Sequence, residues 1–313
     1  MKEFPRAITL PESVKIARLQ REQEIVSSAK RGIFIRLFII TIEFLGFAFL
    51  GSQALLADAL ASLVDVVSTF FLVLFVKLAE RPPDKNHPFG HGRLEPLIGM
   101  QLGTFLAILG SWMLFQQLFE ISNETREVPI ERLTWIIPVC AVLLLELCYR
   151  FMMRTAKKQN SPALAADAVH YRIDALTSLF AAIALILAAY FPGWSLKLDH
   201  MGAIAIACTM ILVGLIAAKK NLNQLLDKAP SQEYFDRVKK AASHVQDVLG
   251  IEKIRIQLSG PDAHVDIDVE VDPKLSVDKA HCISQKVRAE IQKEWAAVRD
   301  VTVHIEPYYE NDH

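Results

Sequence analysis

The chain has 313 residues, of which 52% are hydrophobic and 22% are charged, and its formal net charge is −1 at pH 7. The mean hydropathy of +0.27 is high for a soluble protein. The charged fraction is below the level of about a quarter that is typical of soluble domains. The near-zero charge excludes a basic nucleic-acid-binding protein and an acidic disordered chain. Because the apolar residues concentrate in residues 32–218, the composition indicates a membrane protein with a soluble tail.

Six apolar segments are long enough to cross a bilayer, for which a helix needs about 20 residues. They span residues 33–50, 54–78, 97–119, 135–153, 163–191 and 201–218. Lys and Arg residues favour the cytoplasmic side of a membrane, and the connections on one side carry 17 of them against three on the other. This bias predicts a multi-pass protein with both termini in the cytoplasm.

The same patterns divide the chain into three parts. A cytoplasmic N-terminal segment covers residues 1–31, a six-helix transmembrane domain covers 32–220, and a cytoplasmic domain covers 221–313. Apolar spacing in the last part predicts elements in the order α-β-β-α-β. The helices are expected at 233–244 and 277–295, and the strands at 251–258, 264–272 and 301–305. This order predicts a small α+β open-faced sandwich, whose modest core dimerisation would reinforce.

The second and fifth spans carry ionisable residues at matching positions. Asp58 aligns with Asp167, and Asp65 with Asp174, without gaps. A carboxylate at the bilayer centre costs about 2.5–3.5 kcal/mol on insertion scales, so such residues are candidates for a functional site. The alternative role for each is structural, as a partner in helix–helix hydrogen bonds.

A metal site follows from the spacing within the fifth span. His170 and Asp174 lie one helical turn apart on the same face, and Asp65 from a facing span can supply a third ligand. Imidazole and carboxylate ligands suit Zn²⁺ or Fe²⁺. The sequence therefore predicts a divalent-cation site formed by Asp65, His170 and Asp174.

A second cluster lies in the connection between the second and third spans. Asp84, His87 and His91 fall within eight residues, and the Pro and Gly residues among them predict a turn that can bring the side chains together. The pattern indicates a second metal site on the cytoplasmic side, and the alternative is a polar loop. No HExxH, GxSxG or GxxxxGK[ST] motif is present, so neither a common metalloprotease nor an ATP-driven pump is indicated.

Five short motifs of this chain resemble those of one transporter family. They are Leu-Val-Asp at 63–65, Asn-His-Pro-Phe-Gly-His-Gly at 86–92, His-Tyr-Arg-Ile-Asp at 170–174, Ser-Gly-Pro at 259–261 and Val-His-Ile-Glu-Pro at 303–307. The chain resembles the cation diffusion facilitators, which are divalent metal cation/proton antiporters, over about residues 25–308. The 26-residue interval from Asp65 to His91 is similar to the family's iron/zinc branch.

The resemblance implies a function and an assembly. It implies efflux of a divalent cation, Zn²⁺ first and then Fe²⁺, Co²⁺, Cd²⁺ or Mn²⁺, in exchange for protons. It also implies a homodimer in a bilayer, expected to be a bacterial inner membrane, with a ferredoxin-like or metallochaperone-like tail. An enzymatic activity and a nucleic-acid partner are not expected.

The resemblance also implies roles for particular residues. Asp65, His170 and Asp174 correspond to the transport site, and Asp84, His87 and His91 to a cytoplasmic loop site. In the tail, ligands are expected at a binuclear site on the dimer interface; they are Asp268, His281, His304 and Glu306. Asp268 and Glu252 stand where better-known members have histidines, so this site is shifted toward oxygen ligands.

One position departs from the family pattern. Ala61 stands one turn before Asp65, where the family usually has a fourth ligand, Asp or His. Water or the Ser62 hydroxyl can complete the coordination shell with a loss of affinity. Alternatively, the chain transports weakly or not at all, and acts as a membrane partner or metal sensor.

A third possibility is that another intramembrane acid replaces the missing ligand. The candidates are Glu43 in the first span, Asp58 in the second and Glu146 in the fourth. For Glu43 and Glu146, pairing with Arg36 or with helix ends is the structural alternative.

Overall fold

The computed structural model describes residues 12–79, 81, 84–122, 131–159 and 162–310. Six long helices occupy the six predicted spans. They are α1 (Glu12–Leu50), α2 (Gln53–Ala79), α3 (Leu94–Ser122), α4 (Ile136–Gln159), α5 (Pro162–Tyr190) and α6 (Ser195–Leu225). A single 3-10 turn, Pro192–Trp194, connects α5 to α6.

Five of these helices are long and apolar enough to cross a membrane: α1 over Ile33–Leu50, and α3, α4, α5 and α6. The sixth, α2, has 27 residues, which at 1.5 Å per residue span about 40 Å and exceed the hydrocarbon thickness. The prediction of a helical membrane domain is confirmed. Helix α1 begins at Glu12, well before the predicted span, because the charged segment ahead of it continues the same helix.

The membrane helices pack through small residues. One apolar cluster joins α2, α3, α5 and α6 and contains Ala57, Ala181 and Ala207; a second joins α1, α4 and α5. Between α3 and α6, a Cβ added to Gly103 would lie 2.8 Å from the carbonyl oxygen of Gly214. Small side chains therefore let neighbouring backbones approach closely, as is typical of membrane helices.

The start of α2 is fixed by polar contacts. Ser52 Oγ accepts a hydrogen bond from the Leu55 N–H at 3.2 Å and donates one to Asp199 Oδ1 at 2.6 Å. The backbone N–H groups of Gln53 and Ala54 also donate to the Asp199 carboxylate, at 2.6 and 3.1 Å. An acid of α6 thus occupies the N-terminus of α2, where N–H groups lack helical partners.

The tail confirms the predicted α-β-β-α-β order. It consists of α7 (Gln232–Ser243), β1 (Gly250–Ser259), β2 (Asp262–Val271), α8 (Val277–Glu294) and β3 (Val298–Pro307). The central strand β2 pairs antiparallel with β1 and parallel with β3. Both helices cover one face of the sheet, and the core includes Val238, Val265, Ile267 and Val287.

The chain forms two compact units. One comprises residues 23–75 and 98–221 and holds the bulk of the long helices. The other comprises the described residues within 76–97 and 222–310 together with residues 12–22, so the loop between α2 and α3 belongs with the tail. In that unit, Arg93 forms an ion pair with Asp227 at 2.8 Å, and the Phe89 and His264 rings meet edge to face at 5.9 Å.

Candidate metal centres

Asp174 of α5 is buried and paired with a base from α1. Arg36 Nε donates a hydrogen bond to Asp174 Oδ2 at 2.9 Å, and a terminal guanidinium nitrogen lies 2.8 Å from the same oxygen. Both side chains are only 4% exposed. The guanidinium also lies 4.7 Å from the centre of the Tyr171 ring. The acid that was predicted to bind metal therefore already has a cationic partner inside the protein.

The sequence of α1 explains why Arg36 points inward. Arg36, Ile39, Ile40 and Glu43 are all buried, and their spacing of three and four residues places them on one helical face. That face packs toward α4 and α5. An arginine on it must find an acid, because an unpaired charge in a buried position is strongly unfavourable.

Asp65 lies beside this ion pair. The structure places its carboxylate within hydrogen-bonding reach of Asp174 and within electrostatic range of Arg36. Asp65 is partly buried on α2. The two acids that were predicted from different spans are therefore brought together.

His170 lies on α5, one turn before Asp174, and its side chain is outside the described part of the structure. The backbone places it on the same helical face as Asp174. Its role as a ligand of the transport site stays a prediction.

Apolar packing surrounds Ala61, the position where the family usually has a fourth ligand. Ala61 is 6% exposed and belongs to the apolar cluster around α2. Ser62 is buried beside it.

Glu146 accepts a hydrogen bond from Arg150 at 2.8 Å, one turn along α4. This acid is therefore already paired within its own helix.

Glu43 and Asp58 form a separate pair of acids. Both are fully buried, and each lies within hydrogen-bonding reach of the other. Asp58 lies seven residues, about two turns, before Asp65 on α2, and Glu43 lies seven residues after Arg36 on α1. This spacing separates them from Asp65 and Asp174.

The loop cluster converges as its spacing predicts. Ligand atoms of Asp84, His87 and His91 all lie within 4.8 Å of one another. Nδ1 of His87 is 3.4 Å from Asp84 Oδ1, and Nε2 of His91 is 3.6 Å from Oδ2. The two imidazole rings are 4.2 Å apart. One carboxylate and two imidazoles can therefore face a single ion.

Backbone hydrogen bonds within the loop stabilise the ionised form of Asp84. The N–H groups of His87 and Asn86 donate to Asp84 Oδ1 at 2.7 and 2.8 Å. These hydrogen bonds, that of His87 first, lower the pKa of Asp84 below its ordinary value. Gly90, with φ at +85°, turns the chain between the two histidines.

A third cluster lies on the sheet of the tail. Asp268 of β2 stands opposite His304 of β3, and Glu306 follows two residues later on the same face. His304 Nδ1 lies 3.0 Å from Glu306 Oε1 and 3.7 Å from Asp268 Oδ1. The ligand atoms of all three lie within 4.8 Å of one another.

Glu252 of β1 extends this cluster toward oxygen ligands. A hydrogen bond with Glu252 raises the pKa of Glu306 above its ordinary value, since the shared proton is held between two acids. His281 lies exposed on α8 and belongs to neither ligand cluster of the described residues. Its expected role at a dimer interface stays a prediction.

Comparisons with known proteins agree with this architecture. The family model described as the cation efflux transmembrane domain matches residues 29–226, and that of the cation efflux protein cytoplasmic domain matches 230–308. The chain belongs to the cation efflux family, the cation diffusion facilitators. The predicted family is thus confirmed, and the chain is a multi-pass membrane protein of a transporter family.

Several relatives are similar over most of their length. The manganese efflux system protein MneP of Bacillus subtilis is 26% identical over 83% of this chain and 88% of its own. The magnetosome protein MamB of Magnetospirillum gryphiswaldense is 29% identical over 82% and 85%. The cation-efflux pump FieF of Shewanella oneidensis is 25% identical over 90% and 95%. A solved MamM CTD structure covers 25% of this chain and 95% of that chain, at 26% identity and a TM-score of 0.25.

The sequence did not predict the partner of Asp174. The sequence indicates only Glu43 or Glu146 as partners of Arg36, because spacing within one helix does not reveal which neighbouring helix its face meets. A signal was present: Arg36 is the one Lys or Arg in the first apolar span. The expectation of a non-transporting membrane partner receives no support from the relatives.

Proposed function

We propose that this protein exports a divalent metal cation from the cytosol through its membrane helices in exchange for protons. The observation that carries the proposal is the meeting of Asp65 and Asp174 from α2 and α5 in the membrane-spanning part. His170, one turn from Asp174, is proposed as the third ligand. Two carboxylates and an imidazole are suitable for Zn²⁺ and Fe²⁺.

Arg36 sets the charge of this site. With Asp65 and Asp174 ionised and Arg36 bound to Asp174, the three side chains carry a net charge of −1. A divalent cation that binds Asp174 through Oδ2 competes with the guanidinium for that oxygen. In the absence of metal, Arg36 is therefore proposed to act as the resident counter-ion of Asp174.

Proton exchange follows from the ligand chemistry. Carboxylate and imidazole must be deprotonated to bind a metal, so metal and protons compete for the same atoms. Histidine exchanges its proton near neutral pH, which makes His170 the proposed carrier. When the helices open to the other side, protons displace the cation, and inward proton flow supplies the driving force.

The exposed clusters are proposed to sense cytosolic metal. Asp84, His87 and His91 would bind it at the loop, and Asp268, His304 and Glu306 at the tail. With His281, metal at the tail would draw two protomers together in a homodimer. Both termini are proposed to face the cytoplasm, because the Lys and Arg residues concentrate on that side. The membrane is proposed to be a bacterial inner membrane.

The identity of the metal is a further part of the proposal. The ligands favour Zn²⁺, and Fe²⁺, Co²⁺, Cd²⁺ and Mn²⁺ are compatible because raw affinity does not set selectivity. The names of two relatives describe manganese efflux and cation efflux. Mn²⁺ therefore belongs in any test of substrate choice.

The test is transport by the purified protein in liposomes with a pH gradient. Each of the five metal ions is followed in turn, with internal pH recorded to detect counter-flow of protons. Asp174→Asn is expected to abolish uptake, because the site loses one of its two carboxylates. Glu146→Gln is the matched control, since Glu146 is another acid of the membrane helices that pairs with Arg150. Wild-type rates in Asp174→Asn would contradict the assignment of the site.

A further inference from the structure

A second acidic site lies deeper among the same helices. Glu43 of α1 and Asp58 of α2 are both 0% exposed. None of their four carboxyl oxygens has a hydrogen bond of regular geometry from the described residues. The two acids contact each other, and Asp58 also contacts Ser178 and Thr177, but none of these contacts has the regular geometry that buried carboxyl groups ordinarily have.

No base balances this pair among the described residues. The charged groups that act on it are acidic: the two carboxyls act on each other, and Asp174 acts on both. Arg36, on the same face of α1, is engaged with Asp174. Two facing carboxylates cannot both ionise in a buried position unless a cation or a shared proton lies between them.

A hydroxyl group from a third helix is directed at the pair. Ser178 of α5 is 0% exposed, lies beside Asp58, and its Oγ has no hydrogen-bond partner of regular geometry in the described structure. Thr177, next to it, donates its proton to the Asp174 carbonyl oxygen at 2.7 Å, so its lone pairs remain available. Every atom at this position that could bind a metal ion is an oxygen, and these oxygens come from three helices.

The pair stands in series with the first site. Asp58 precedes Asp65 by seven residues on α2, about 10 Å along the helix, and Ser178 follows Asp174 by four residues on α5, about 6 Å. Ala61 lies between the two acids of α2 and is buried. A methyl group thus occupies the helical face that joins the two acidic positions.

We propose that Glu43, Asp58 and Ser178 form a second cation-binding site, with oxygen ligands only, which takes a hard divalent cation such as Mn²⁺. Carboxylate and hydroxyl oxygens without nitrogen or sulfur suit Mn²⁺ and Mg²⁺ better than softer ions. Its place on the ion path rests on the proposed function, whereas the binding itself does not. A cation that leaves Asp65 and Asp174 would then have an acceptor one to two turns further along.

The test counts Mn²⁺ ions bound by the full-length protein in lipid nanodiscs, from the loss of the electron paramagnetic resonance signal of free Mn²⁺. Glu43→Gln combined with Asp58→Asn is expected to lose one equivalent relative to the wild type. The double variant Asp65→Asn and Asp174→Asn should lose a different equivalent and retain this one. Glu146→Gln, a paired acid of α4, should lose none.

Ser178→Ala provides a milder variant in case the double substitution prevents folding. It removes one hydroxyl and no charge, and it should weaken binding of that Mn²⁺ equivalent by about tenfold. Wild-type stoichiometry in the Glu43 and Asp58 variant, or, if that variant does not fold, wild-type affinity in Ser178→Ala, would overturn the proposal and leave a pair of acids that shares a proton. Loss of the Asp65 and Asp174 equivalent alone concerns the proposed transport site, so the two failures are distinguishable.

Discussion

The acids of the membrane helices and those of the tail are balanced in different ways. Asp174 is 4% exposed and its charge is met by Arg36 at 2.8 Å. Glu306 is 30% exposed, and the neighbours that act on it are two acids and His304. Water can screen the tail cluster, whereas a buried acid needs a partner inside the protein. At the proposed sites, a metal ion would therefore compete with arginine among the membrane helices and with protons and water at the tail.

Among the variants proposed, Arg36→Gln should change the free energy of unfolding the most. It removes the cationic partner that distinguishes Asp174 from the acids of the tail. It leaves a buried carboxylate without its base, which costs about 3–5 kcal/mol in the free energy of unfolding for a pair of this kind. The metal-free protein should therefore unfold at a lower temperature, and added Zn²⁺ should restore more stability than in the wild type. Thermal unfolding in detergent with and without Zn²⁺ measures both.

Arg172→Gln is the matched control for this experiment. Arg172 is exposed on α5 and donates a hydrogen bond to the Tyr149 hydroxyl at 2.9 Å. It resembles Arg36 in contacting a tyrosine ring but is not paired with a predicted metal ligand. Equal stability of the Arg36 and Arg172 variants would argue against a structural counter-ion at Asp174.

Asp199→Asn tests a buried acid that is balanced by backbone N–H groups rather than by a base. The change removes the charge that receives hydrogen bonds from Ser52, Gln53 and Ala54. Hydrogen bonds to charged groups are stronger than neutral ones, so we expect a loss of about 1–2 kcal/mol in unfolding free energy. Glu120→Gln, at the nearby exposed end of α3, should change stability little when both variants are unfolded by heat.

His304→Ala should weaken Zn²⁺ binding at the tail by about ten- to a hundredfold, because the only imidazole of that cluster is removed. Stability should change less than for Arg36→Gln, since His304 is exposed. Isothermal titration calorimetry on the full-length protein measures the affinity. His244→Ala is a suitable control, because His244 is exposed and contacts the Lys240 carbonyl oxygen; an equal loss in both variants would contradict the assignment.

The two exposed clusters should also differ in their response to pH. Asp84 has a lowered pKa and stays ionised as pH falls, whereas Glu306 has a raised pKa and takes up a proton at a higher pH. Metal binding requires the deprotonated forms, so acidification should protonate the Glu306 carboxylate before the Asp84 carboxylate, beyond the imidazole protonation that both clusters share. Zn²⁺ titrations across about pH 4 to 7 on the wild type, Glu306→Gln and Asp84→Asn measure the contribution of each carboxylate. Glu306→Gln should reduce the pH dependence of binding at the tail, and an unchanged pH profile in that variant would contradict the prediction.

The same pKa shift has a consequence for the stability of the metal-free tail. The raised pKa of Glu306 in the folded state means that ionisation opposes folding, so stability decreases as pH rises through that pKa. Glu306→Gln removes this dependence and should raise the unfolding temperature slightly at neutral pH. The effect is expected to be the smallest of those described, because the group is exposed to solvent.

The sequence predicted the helices well and the contacts between them less well. Long apolar runs identified the six helices, and alternating residues identified β1, β2 and β3, because each pattern reflects burial within one element. The pairing of Arg150 with Glu146 also follows from a spacing of four residues. Arg36 and Asp174 are 138 residues apart, and nothing in local spacing fixes how α1 is rotated against α5.

The metal clusters show the same distinction. Asp84, His87 and His91 are close in sequence, and a turn is enough to bring them together. Asp268 and His304 meet only because β3 returns parallel to β2 in a particular register. The motifs of the family made this pairing predictable, whereas residue spacing alone did not.

Gly92 follows the last histidine of the loop and lies against the Ser259 carbonyl, so close that even a methyl side chain would overlap with it. Gly260, at the turn that joins β1 to β2, meets the Gly92 carbonyl in return. Because neither glycine has a side chain, the histidine loop can pack directly against the hairpin of β1 and β2. Alanine at either position would push the loop away from the hairpin and alter the spacing of Asp84, His87 and His91 without contacting any of them.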